Sequence, residues 1–427
     1  MKPLKLLFLL ILSFPASAQI QLGSDIDGEA ANDWSGNSVS LSSDGTIMAI
    51  GAPRNDGNGS NAGHVRVYED SSGTWVQLGA DIDGEAMQDQ SGSVSLSSNG
   101  TIVAIGAPLN NDNGFSSGHV RVYEYTSGSW SQLGADIDGE AANDFSGVSV
   151  SLSSDGTIMA IGAVYNDGNG YLSGHVRIYE YSSGSWAQLG ADIDGEAAND
   201  RSGYSVSLSS DGTVMAIGAY GNDGNGSYAG HVRVYEYTSG SWSQLGADID
   251  GEAAGDRSGY SVSLSSDGST VAIGAVYNGG NGSTSGHVRV YEDSSGTWVQ
   301  LGADIDGEAA DDRSGYSVSL SSDGTIVAIG APRNDGNGSN AGHVRVYEDS
   351  SGTWVQLGAD IDGEAAGDFS GYRVSLSSDG TTVAIGARYN NGNGSYAGHV
   401  RVYSISIPIC QDTIQQQPQS NTFYTVP

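Results

Sequence analysis

The chain has 427 residues, with 65 glycines and only 16 basic side chains beside 50 acidic ones, for a net charge of −34. Nucleic acid and anionic membranes would be repelled by such a chain, so both are excluded as partners, whereas solubility and cation binding are favoured. The one cysteine, Cys410, cannot form an intrachain disulfide, so packing must hold the fold.

Residues 1–18 carry two early lysines, an apolar run from Leu6 to Phe14 and the small-residue set Ala16-Ser17-Ala18. This pattern predicts a signal peptide cleaved near Ala18, with an apolar run too short to span a bilayer. The expectation is a secreted or cell-surface protein with no membrane insertion.

From there the chain repeats. Gln-Leu-Gly begins at Gln21, Gln77, Gln132, Gln188, Gln244, Gln300 and Gln356, in steps of 55 or 56 residues. In the sixth unit "YSVSLSS" from Tyr316 alternates polar and apolar residues as a strand does. Asp323-Gly324 is a hairpin signal leading into "TIVAIGA" from Thr325. The loop "PRNDGNGSNAG" follows, then "HVRVYE" from His343, the turn "DSSG" and "TWVQLGADI" from Thr353. Four strands in a unit of this length predict an all-β, seven-bladed β-propeller of four-stranded antiparallel blades over residues 19–406. "IQLGSDI" from Ile20 is a fourth strand without three before it, and the last unit stops after its third, "HVRVYSISI" from His399. Residues near Ile20 to Asp25 should therefore close the ring and hide two strand edges. Residues 407–427, rich in Gln and Pro, read as a C-terminal tail or linker.

At "SVSLSSDGTIVAIGAP" the sequence resembles the FG-GAP repeats of the integrin α-chain type of β-propeller, in a bacterial exported form. Gly-Ala-Pro stands at Gly51, Gly106 and Gly330, decays to Gly-Ala-X at Gly162, Gly218, Gly274 and Gly386, and Ser-Gly replaces Phe-Gly. The resemblance implies a propeller with a binding or adhesive role. In that family some blades carry a calcium loop between the first and second strands. Here that place holds only "SSDG" or "SSNG", so those sites are not carried over.

The acidic stretch "DIDGEAANDWSG" from Asp25 has part of an EF-hand pattern but lacks the carboxylate at position twelve. That position holds Trp34, Gln90, Phe145, Arg201, Arg257, Arg313 and Phe369. Two readings stay open: an Asp-Gly turn with side-chain to backbone bonds, or a weak Ca2+ site using Asp25, Asp27 and Asp33 and, in a later copy, Asp136, Asp138 and Asp144. Propeller topology puts these loops and the "RNDGNGSNAG" loops on one face, which should be strongly acidic. Copy-to-copy changes cluster on the same face, at Trp34, Arg54, Phe145, Tyr165, Arg201, Arg257, Tyr277, Arg313, Arg333, Phe369 and Arg388. Aromatic and arginine side chains are the usual anchors of a binding surface. The seven "GHVRVY" histidines, from His64 to His399, lack unique partners in any one blade and are expected to pack or hydrogen-bond between blades. Asn-Gly-Ser at Asn58, Asn225, Asn281, Asn337 and Asn393 fits a glycosylation site or a loop-tip turn.

The functional expectation is a non-enzymatic, monomeric propeller that binds a protein or glycan partner through its acidic loop face. The alternatives are a polysaccharide-acting enzyme, which would need one blade with a unique acid, base or nucleophile, and a purely structural surface repeat.

Overall fold

The computed structural model describes residues 19–406, so the signal-peptide and tail expectations lie outside the described residues. Those residues form seven antiparallel sheets, one per repeat. The first blade has an inner strand Ser38–Leu41, then Ile47–Ala52, His64–Asp70, Trp75–Gln77 and Ile82–Asp83. The outer strand expected from "TWVQLGADI" is thus broken in two. Gly79 turns the chain at φ 78°, and both halves pair with the third strand, Tyr68 opposite Gln77 and His64 opposite Asp83. Alternation continues through the break, so only the glycine betrays it.

The core lies between blades. Ala49, Val65, Val67 and Ile82 of the first blade pack on Val94, Leu96, Val103 and Ile105 of the second, and the pattern repeats around the ring. Blades approach closely enough to require glycine: a Cβ on Gly51 would collide with the carbonyl of Gly92 in the next blade. Equivalent collisions meet Gly106 on Gly147 and Gly386 on Gly36, so the Gly-Ala and Ser-Gly elements are two sides of one contact.

Serines satisfy the inner strands, whose outward N–H groups have no further strand to pair with. Leu96 N donates to Ser40 Oγ of the preceding blade at 3.0 Å, and all seven leucines of this position do likewise. One turn further, backbone bonds of 2.7–2.8 Å run Ser43 to Ser98, Ser154, Ser210, Ser266, Ser322, Ser378 and back to Ser43. The belt closes on itself.

The N-terminal strand completes the last blade. Ile20–Gln21 and Ile26–Asp27 both pair with His399–Ser404, and Ile26 enters a core with Val39, Met48 and Val400. Elsewhere an outer-strand tryptophan donates from Nε1 to a leucine carbonyl of the previous blade, as Trp75 does to Leu22. Gln19 occupies that place in the closing blade and donates from Nε2 to Leu357 O at 2.8 Å.

Candidate functional site

The face entered by the long loops carries both the carboxylates and the variable residues, sorted by radius. At the centre the residue before Ser-Gly is left-handed in every blade: Trp34 (φ 60°), Gln90 (53°), Phe145 (57°), Arg201 (58°), Arg257 (58°), Arg313 (57°) and Phe369 (57°). Bulky side chains rarely adopt this backbone, and a chain this rich in glycine uses none here. The residue after Gly-Ala-X interleaves with them. Tyr277 lies between Arg257 and Arg313, whose guanidinium carbons stand 4.4 and 4.7 Å from its ring centre. Tyr165 meets Phe145 edge-on at 4.9 Å and lies 5.8 Å from Arg201. Together these side chains form a crown around the channel mouth.

The crown is richest where the ring closes. Arg54 stacks 3.4 Å from the Trp34 ring, and Trp34 meets Tyr389 edge-on at 5.4 Å. Phe369 and Tyr396 meet Tyr389 at 5.1 and 5.3 Å. These residues line a cleft of about 620 Å³ together with Asn32 and Asn391. Arg388 lies 3.6 Å from the ring of Tyr372, linking the cleft to the channel. Arg333 occupies the position equivalent to Arg54 but meets no ring among the described residues.

Inside the channel, Tyr204, Tyr260, Tyr316 and Tyr372 from four consecutive blades stack at 4.8, 5.0 and 4.8 Å. Arg373 replaces a repeat serine there and lies over Tyr372. Sequence reasoning missed these five, although the tyrosine run and the lone arginine at a serine position were visible signals.

The arginines divide cleanly. Seven sit in the "HVRVY" strand, and six of these lie 3.4–3.8 Å from a glutamate. The other seven, Arg54, Arg201, Arg257, Arg313, Arg333, Arg373 and Arg388, form no ion pair among the described residues. Nε of Arg54, Arg201 and Arg388 is buried without a hydrogen-bond partner. The face is therefore acidic at its rim and cationic at its centre.

The proposed calcium aspartates scatter among three roles. Asp33 is buried, and its Oδ2 accepts from Ala30 N at 2.9 Å and Asn55 Nδ2 at 3.0 Å; Asp144 repeats this with Ala141 and Asn166. Those two carboxylates hold the loop. Asp27 and Asp138 lie exposed on the two-residue strands, and desolvation followed by the charge of Asp25 raises the Asp27 carboxyl. Asp25 and Asp136 lie beside His399 and His119.

Those histidines belong to seven clusters, each built from a loop glutamate, the third-strand histidine and the aspartate of Gln-Leu-Gly-x-Asp. In the first blade His64 Nδ1 is 3.8 Å from both Glu29 Oε2 and Asp81 Oδ2. Such clusters could hold ions. Burial, then the neighbouring arginine, holds His175, His231, His343 and His399 down at about 4, so their imidazoles are neutral near pH 7. The histidines pack as expected, but hydrogen bonds between blades do not form from their rings among the described residues. Asn58 Nδ2 donates to the carbonyls of Gly84 and Glu85 at 2.8 and 3.0 Å, so this amide is spent on holding the next blade's loop.

The FG-GAP repeat family matches residues 26–68, 191–235 and 304–347. Three of the seven repeats of this β-propeller are thus FG-GAP repeats. No curated protein matches it. Among solved structures, the FG-GAP chain is similar to hydrazine synthase of Kuenenia stuttgartiensis, with 12% identity, TM-score 0.54, and 90% of this chain and 98% of that one covered. It is also similar to the periplasmic gluconolactonase of Pseudomonas aeruginosa, with 17% identity, TM-score 0.52, and coverage of 77% and 85%. At such identities the likeness shows the propeller fold alone.

Proposed function

We propose that this FG-GAP propeller is an exported, non-enzymatic binding protein, used in adhesion or surface recognition, that takes a protein or glycan partner on its loop face. The observation that carries this reading is the crown of unpaired arginines and aromatic rings held on left-handed backbone around the channel mouth. Arginine supplies charge-assisted bonds to carboxylate or sulfate, and an aromatic ring supplies a stacking face. The acidic rim repels non-cognate anions of large size, leaving the centre to anionic groups on narrow chains or loops. Calcium, suggested by the acidic loops, belongs to this reading only as an aid to loop order.

Glycan and protein arrays with and without chelator test it, comparing the full chain with Trp34→Ala/Tyr389→Ala. Binding should weaken on the order of 30-fold, the effect of losing an anchor worth about 2 kcal/mol. Absence of any ligand under every ionic condition, or equal binding by the variant, would overturn the proposal. Turnover of a polysaccharide would replace it with an enzymatic reading.

A further inference from the structure

Every blade buries an imidazole, and in six of the seven at least one ring nitrogen has no hydrogen-bond partner among the described residues. His119 and His399 are 0% and 1% exposed, and neither ring nitrogen of either has a hydrogen-bond partner among the described residues. Nδ1 of His119 is aimed at Glu85 Oε2 at 3.7 Å and Asp112 Oδ2 at 3.8 Å, with Asp136 completing the group. Nδ1 of His399 is 3.8 Å from Glu364 Oε2 and 3.9 Å from Asp25 Oδ2. These spans are too long for an N–H···O bond, which ends at about 3.2 Å, and too short for a bridging water, which needs roughly 4.5 Å. A metal ion with arms of about 2.0–2.2 Å and angles from tetrahedral to trigonal separates its ligand atoms by roughly 3.3–3.8 Å. The observed spans of 3.7–3.9 Å sit at the open end of that range and contract only slightly around an ion.

The carboxylates are also preset. In every blade a glutamine four residues upstream donates to Oδ1 of the aspartate at 2.5–2.7 Å. That leaves Oδ2 toward the imidazole. On the glutamate, Oε1 faces the third-strand arginine, as Glu29 does Arg66 at 3.8 Å, while Oε2 faces the histidine. Such outer partners are how metal sites orient their ligands.

We propose that the seven clusters are divalent-metal sites of the zinc type, one per blade, and that the second blade holds the strongest. One imidazole nitrogen with two or three carboxylate oxygens suits zinc's low coordination number, whereas calcium takes six to eight oxygens. The second blade alone supplies a fourth ligand. Asp112 stands where the others have Gly57, Gly168, Gly224, Gly280, Gly336 and Gly392. The seventh site needs Asp25 from the N-terminal segment, so it forms only when the ring closes.

The test uses the untagged full chain, stripped with chelator, dialysed, and titrated calorimetrically with zinc, calcium and magnesium chlorides. Zinc should bind in one tight class and a weaker multiple class, and cobalt should give the visible absorption of a four-coordinate centre. Asp112→Gly should weaken the tight class at least about tenfold and remove the cobalt band, and His119→Gln should abolish the tight class. Asp112→Gly restores the residue of the other blades, so its melting temperature in metal-free buffer should match the parent and separates metal loss from misfolding. Zinc binding that is absent, unaltered in Asp112→Gly, or equalled by calcium overturns the proposal.

Discussion

Arg313 occupies left-handed backbone at φ 57° and spends its side chain on the face of Tyr277. For an L-residue that backbone costs roughly 1–2 kcal/mol, which glycine avoids. Arg313→Gly should therefore raise stability in urea by about 0.5–1 kcal/mol while weakening ligand binding, since the lost ring contact offsets part of the relief. A destabilised variant would assign the arginine to the fold instead. Turn aspartates give a second test at this scale. Desolvation pushes the Asp44 carboxyl up, but bonds from Ser42 Oγ and from Thr46 N and Oγ outweigh it and hold the group below the usual 3.8. Asp155, Asp211, Asp267, Asp323 and Asp379 behave alike, whereas the second blade has Asn99 accepting the same three bonds without charge. A depressed carboxyl contributes stability above its unfolded value and loses it as pH falls through the folded one. Replacing all six by Asn should flatten the decline in melting temperature below about pH 4 relative to the parent. An unchanged acid limb would remove these turns as its cause.

At the scale of strands, closure rests on two short segments and one glutamine. Removing residues 19–27 takes away the pairs of Ile20 and Gln21 with Ser404 and Tyr403, the burial of Ile26, and the bond from Gln19 to Leu357. The loss should be on the order of 3 kcal/mol or more, read as a lower chemical-denaturation midpoint, with dimers forming through the freed edge of His399–Ser404. Gly386→Ala attacks the same seam by driving a methyl into Gly36 O, and about 2–3 kcal/mol should be lost. Blade number, strand order and closure were legible in the sequence because each depends on local signals: period-two alternation, Asp-Gly turns and the offset cut. The split outer strand was not, since Trp75 to Asp83 keeps its alternation and one glycine interrupts it. The histidine–carboxylate clusters were hidden for a different reason. Glu29, His64 and Asp81 lie far apart along the chain and meet only after three strands have paired.

For the whole molecule, counting charges gave the wrong sign for the centre of the face. The seven arginines without ion pairs are outnumbered in the composition but gathered at one mouth and in the channel behind it, while the carboxylates spread along seven rims. Self-repulsion of a chain at −34 should still dominate its global behaviour, so melting temperature should rise as sodium chloride goes from about 10 mM to about 0.15 M. A flat salt profile would mean that bound cations already neutralise the rims. The staggered seam has a consequence for how such a gene changes. Its first and sixth copies are nearly identical over "AIGAPRNDGNGSNAGHVRVYEDSSGTWVQLGADIDGEA", ready substrates for unequal recombination. Because the propeller's first and last strands share one blade, unequal exchange between those two copies would add or remove five whole repeats and leave no half-blade behind. Heredity can alter the number of copies freely; the serine belt, with seven equal steps to close, decides which of those descendants still make a ring.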